Sequence, residues 1–91
     1  MSTAHTPGPW RCDGRDILTA DGQCIASIFS GPCATLEEAD ANGRLVAAAP
    51  ELLRCAEMAL EELEEAARSN PLAVVASRFL RAAIEAAKLP P

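Results

Sequence analysis

The sequence predicts an α+β fold, a small three-stranded antiparallel meander followed by two or three helices packed together. Three observations predict it. Two Asp-Gly pairs, Asp13-Gly14 and Asp21-Gly22, punctuate short runs near the start of the chain, and Asp-Gly between strand-like segments is a strong local signal for a hairpin turn. From Glu51 onward apolar residues recur at intervals of three and four, the period of a helix with one buried face. Nineteen of the 91 residues are Ala, while only Trp10, Phe29 and Phe79 are aromatic. Ala has the highest helix propensity but buries little surface, so the helices form readily and leave thin core layers.

Residues 1–9 read as an extended arm, because Pro7, Gly8 and Pro9 do not open a helix comfortably. Residues 10–91 read as a single small domain. A chain of this size buries only ~60 to 65% of the surface its unfolded form exposes, enough for one modest core and too little for a deep catalytic cleft. Three strands are expected within about residues 10–30, at 10–12, 16–20 and 23–30. On the third, alternation places Cys24, Ala26 and Ile28 on one face and Ile25, Ser27 and Phe29 on the other. Neither face is plainly polar, which leaves the register open. Gly31 and Pro32 stop this strand.

Helices are expected at 36–49, 51–69 and 71–88. Thr35 followed three residues later by Glu38 is a capping-box pattern that starts the first. Pro50 either kinks a continuous helix or sits in the first turn of a new one, where its missing N–H costs nothing. In the second helix Leu53, Ala56, Leu60, Leu63 and Ala67 form an apolar stripe, widened by Leu52, Ala59 and Ala66. Asn70 reads as an N-cap and Pro71 as the first residue of the last helix. There Leu72, Val75, Phe79, Ala82 and Ala86 repeat the spacing, with Leu80, Ala83 and Ala87 beside them, and Pro90 and Pro91 end it.

Formal charge totals -5 and is unevenly spread. Residues 36–70 hold nine acidic side chains against Arg44, Arg54 and Arg68, whereas residues 71–91 hold Arg78, Arg81 and Lys88 against Glu85. Opposite charges of this kind favour antiparallel pairing of the last two helices, each exposed pair contributing ~0.2 to 1 kcal/mol. The overall balance disfavours direct nucleic-acid binding, which rests on neutralising phosphates with Lys and Arg. The longest apolar runs, 45–50 and 72–76, fall far short of the ~20 residues a membrane-spanning helix needs. With no basic segment leading into an apolar one near the N-terminus, a cytoplasmic location is expected, and with it thiols at Cys12, Cys24, Cys33 and Cys55.

Two segments stand together in this sequence: His5-Thr6-Pro7-Gly8-Pro9-Trp10, and the run from Glu38 through Ala47-Ala48-Ala49-Pro50 to Leu53. Together they resemble a widespread group of small bacteriophage and prophage proteins, over roughly residues 5–63. Members of that group open with a TPGPW-like arm, follow it with a short strand pair, and carry an ANARLIAAAPELL-like helix. Gly43 departs from the alanine usual there. The resemblance implies a phage or mobile-element origin and carries over no catalytic residues. Small proteins of such origin often disarm a host system by binding it.

Candidate sites follow from the same residues. The four cysteines with His5 suggest zinc, whose preferred ligands are thiolate and imidazole. Their separation lacks the paired knuckle spacing, however, so buried small apolar thiols are the simpler reading. Nucleophilic catalysis by a cysteine with His5 needs both groups in hydrogen-bond reach and a third to orient the base. Adjacent glutamates such as Glu61, Glu62, Glu64 and Glu65 usually form a solvated helix face rather than an acid-base pair. Trp10 reads as a core anchor or a contact residue in a binding surface.

The resulting expectation is a non-enzymatic phage-type accessory protein without a cofactor. It binds a host protein or protein complex as an anti-CRISPR-like inhibitor of antiviral defence, through Glu57, Glu61, Glu64, Glu65, Arg78, Arg81 and Trp10. A homodimer is expected as well, because a small chain gains stability by burying a second face. The alternative is a small regulatory module in phage gene expression, zinc-stabilised through Cys12, Cys24, Cys33 and Cys55.

Overall fold

Short β-prone runs set apart by glycine turns, then three helical runs, give the element order β1 (Trp10–Asp13), β2 (Asp16–Thr19), β3 (Cys24–Ser27), α1 (Leu36–Ala47), α2 (Ala49–Ala66) and α3 (Pro71–Lys88). The computed structural model describes residues 5–29, 31 and 33–89. The expected α+β fold is thus present. Residues 1–4 of the arm, Ser30, Pro32 and the terminal prolines of the expected scheme lie outside the described residues. The chain divides into two units, one of Pro7–Glu51 and one containing α2 from Leu52 onward together with α3.

In the first unit the sheet order is β1-β2-β3, antiparallel throughout. Asp13 pairs with Asp16, so Gly14 and Arg15 form a two-residue hairpin loop. Gly14 has φ +63°, the left-handed conformation that such loops require and that glycine adopts without steric cost. The register of β2 on β3 shifts between Ile17 and Leu18. This bulge resolves the ambiguous alternation of the third strand: Ile25 and Ile28 are half-buried, while Cys24, Ala26, Ser27 and Phe29 are exposed. The strand itself is shorter than expected: it ends at Ser27, opposite Asp16, where the Ile28 N–H donates to the Arg15 carbonyl at 2.8 Å as the last rung beside the hairpin loop.

Helix α1 lies against β1 and β2. Its N-terminus is capped as the sequence predicts: Thr35 Oγ1 accepts from the Glu38 N–H at 3.0 Å. The Glu38 carboxylate reaches back to the Ala34 N–H at 3.2 Å, one residue before the cap. Ile17 and Ala39 are wholly buried between sheet and helix, and Gly43 is buried with them. A Cβ at Gly43 would lie 2.9 Å from Cys12 Sγ and 3.6 Å from Ile28, so the absent side chain lets helix and sheet approach. Thr19, the buried polar side chain of this core, is satisfied. Its hydroxyl donates to the Asp21 carboxylate and accepts from the Gln23 N–H at 3.0 Å.

Ala48 closes α1, and α2 begins at once with Pro50 as its second residue. Pro50 therefore opens a new helix rather than kinking one. In the second unit Asn70 Oδ1 accepts from the Leu72 N–H at 3.0 Å and Pro71 is the first residue of α3. Leu53, Ala56, Leu60 and Leu63 are the half-buried stripe of α2 that the periodicity predicts, and Ala67, also half-buried, lies in the turn after it, since α2 spans Ala49–Ala66 rather than 51–69 and α1 ends at Ala47 rather than at 49. Helix α3 departs from expectation. Its buried positions are Ala73 and Ile84, with Val74, Ser77 and Leu80 half-buried, whereas Leu72, Val75, Phe79, Ala82 and Ala86 face outward. The helix is apolar nearly all round, so a second stripe at the same spacing competes with the one read from sequence.

Candidate functional site

Ionic contacts of the second unit fix which face of α3 turns inward. Lys88 Nζ pairs with Glu57 Oε2 at 2.6 Å, and Arg81 pairs with Glu64. Both cations are seven residues apart on α3 and both carboxylates seven apart on α2, in reversed order, so the helices run antiparallel as their charges predict. Two members of the expected acidic surface, Glu57 and Glu64, and one of its basic residues, Arg81, are thus engaged within the unit.

Of the expected acidic surface, Glu61 and Glu65 stay unengaged by α3, with Glu65 held 3.5 Å from Arg68 on the following turn. Glu62, not among the residues expected in that surface, is exposed beside them. Met58 is exposed one turn earlier, and Arg54 approaches its sulfur at 3.4 Å. On α3 the outward face is apolar: Leu72 is 80% exposed, Phe79 75% and Val75 53%. Arg78 and Glu85, also exposed, lie along one edge of that stripe. Neither takes part in an ion pair among the described residues.

The other expected residues sit elsewhere. Trp10 is half-buried at the start of β1, opposite Thr19 in the ladder. Of the four free cysteines, Cys12 and Cys33 are half-buried while Cys24 and Cys55 are exposed. The reading of all four as buried thiols therefore holds only in part, because β3 and α2 turn Cys24 and Cys55 away from their cores. Cys12 Sγ lies 3.2 Å from the Gly14 carbonyl, and the Asn42 amide approaches Cys33 Sγ at 3.6 Å. No three His, Cys, Asp or Glu side chains gather as metal ligands among the described residues. His5 Nδ1 lies 2.7 Å from the neighbouring Thr6 carbonyl. Asp21 is the carboxyl whose acidity is displaced: the Thr19 hydroxyl bond holds it below the ordinary aspartate range. This is a feature of the β2–β3 turn.

A family model described as Salmonella phage P22 protein Y8K6 matches residues 1–89. The chain belongs to this phage protein family. No curated protein and no solved structure matches it. The Y8K6 family match bears out the phage relationship that the sequence motifs imply. In this family member the proline-rich arm and the alanine-proline run meet: a Cβ at Gly8 would stand 2.7 Å from the Cβ of Pro50. The same unit joins Arg15 to Asp40 at 3.9 Å. Among the described residues no helix is long and apolar enough to cross a membrane.

Proposed function

We propose that this chain is a non-enzymatic accessory protein of phage origin that acts in the cytoplasm of the infected bacterium. It binds a host protein complex and inhibits antiviral defence in the manner of an anti-CRISPR protein. The observation that supports a binding role is the outer face of α2. Glu61, Glu62 and Glu65 are exposed there on the two turns that follow the exposed Met58, after Glu57 and Glu64 have been taken up by the helix pair. An acidic strip beside one exposed apolar side chain suits a basic protein groove, since charge complementarity steers encounter and a desolvated apolar contact adds affinity. Membership of a phage family supports the setting in which such a surface is useful.

The experiment is a plaque assay on a bacterium carrying a CRISPR system that targets the challenging phage. Expression of the wild-type chain is expected to restore plaques, and the triple charge reversal Glu61→Lys, Glu62→Lys, Glu65→Lys to abolish that effect while helical circular dichroism is kept. A second arm retains the tagged chain on beads with the purified effector complex at low and high salt. Restored plating by the triple variant would overturn the assignment of this surface. Failure of the wild-type chain to change plating would overturn the anti-CRISPR reading.

A further inference from the structure

We propose that the outer face of α3 is the seam of a two-fold homodimer in which the helix packs antiparallel against its own copy. This goes beyond the host-binding reading and does not rest on it. The face is apolar along its length, with Leu72, Val75 and Phe79 in the first half and Ala82, Ala83 and Ala86 in the second. Large side chains thus occupy one half and small ones the other. An antiparallel pair sets Phe79 of one copy against Ala82 of the other and Val75 against Ala86. Bulk meets space at both levels, each formed twice by symmetry, as close packing demands. A parallel pair would instead oppose Phe79 to Phe79 and leave the alanine end loose.

Charge selects the same arrangement. Written as a heptad, the apolar positions of α3 are a and d, and Arg78 and Glu85 fall on successive g positions. Both are exposed, and neither is ion-paired within the chain among the described residues. Antiparallel packing brings Arg78 of each copy beside Glu85 of the other, twice by symmetry, because a two-fold interface contacts itself reciprocally. The cations on the opposite side, Arg81 and Lys88, are already bound to Glu64 and Glu57 of the same chain. The far edge of the stripe carries Ala76 and Ala83, which lets the two helix backbones approach. One helix seam of this length buries on the order of 800 to 1,000 Å² in total, the low end of specific interfaces. Association in the micromolar range is therefore expected.

The test is sedimentation equilibrium of the full chain from about 5 to about 500 micromolar, a range that brackets such an affinity. The wild type is expected to pass from monomer to dimer across it. Phe79→Glu, at an exposed position, is expected to keep its helical circular dichroism and remain monomeric. Arg78→Glu and Glu85→Arg each place like charges across the seam, which is expected to weaken self-association by about tenfold or more. An equimolar mixture of those two variants restores both attractive pairs, so it is expected to dimerise as the wild type does. A wild type monomeric at every concentration would overturn self-association. A wild-type dimer unchanged by Phe79→Glu, or a mixture no tighter than either variant alone, would overturn this seam.

Discussion

Cys12 and Gly43 act as one unit of packing although they are far apart in the sequence. An added methyl at residue 43 would stand 2.9 Å from the Cys12 sulfur. Alanine in a helix interior is otherwise favoured over glycine by roughly 1 kcal/mol. Gly43→Ala alone is therefore expected to yield little or no stabilisation. In a Cys12→Ala background the same change is expected to stabilise, giving a coupling of about 1 kcal/mol in a double-mutant cycle followed by urea unfolding. The departure of residue 43 from alanine is legible in the sequence, but its reason is not, because nothing local links it to a strand thirty residues earlier. Asp21 offers a second test. Its carboxyl is held below the ordinary range by the Thr19 hydroxyl, so its contribution to stability is present above the ordinary aspartate value. That contribution is lost as pH falls through the lower folded-state value. Carbonyl-detected NMR titration should place the Asp21 midpoint below the ordinary aspartate value, and Thr19→Val should move it back up.

The starts of α1 and α3 are readable because capping is a local transaction between neighbouring side chains and backbone, whereas the bounds of α2, with no such cap, fall at 49 and 66 rather than 51 and 69. Thr35 with Glu38, and Asn70 with Pro71, each announce a start within four residues, and both starts occur where they indicate. Thr35→Ala is expected to lower stability by about 1 kcal/mol through loss of its bond to the Glu38 N–H. The inward face of α3 was a different kind of problem. Leu72, Val75 and Phe79 satisfy the helical period as well as Ala73, Leu80 and Ile84 do, so periodicity alone cannot choose between them. The matching seven-residue steps of Glu57 and Glu64, and of Arg81 and Lys88, contain the deciding signal. In consequence Leu60, being half-buried, is a sensible stability probe, whereas the exposed Phe79 is not. Ile84→Ala is expected to cost ~2 to 4 kcal/mol, and Phe79→Ala under about 0.5 kcal/mol in dilute solution, both by thermal or urea unfolding. For the third strand, alternation failed for a physical reason as well: the shift between Ile17 and Leu18 breaks the period of two.

Across the whole chain, the core is thin, as its alanine content foretold. Ile17, Ala39, Ala73 and Ile84 are the buried apolar residues among those described, divided between the two units. A protein with so little interior has small reserves, and association adds to them by mass action. If α3 joins a second copy, the melting temperature of the wild type is expected to rise with protein concentration while that of Phe79→Glu stays constant, a contrast that differential scanning calorimetry reads directly. The arm also contributes at this scale. Because Gly8 stands against Pro50, Gly8→Ala forces a methyl onto a rigid ring, and a loss of ~1 to 3 kcal/mol is expected. Legible from the start were the alanine-rich helices, their charge pairing and the phage relationship; the acidic face was legible only in Glu61 and Glu65, because pairing within the chain removes Glu57 and Glu64 while Glu62 lies outside the expected set. The cysteines end the account in a practical way. Cys24 sits exposed on the sheet unit and Cys55 exposed on the helical unit, while Cys12 and Cys33 are partly sheltered. The native chain thus carries one exposed thiol on each unit, so a maleimide added to the folded protein is expected to modify Cys24 and Cys55 ahead of Cys12 and Cys33, an order that peptide mass spectrometry reads directly.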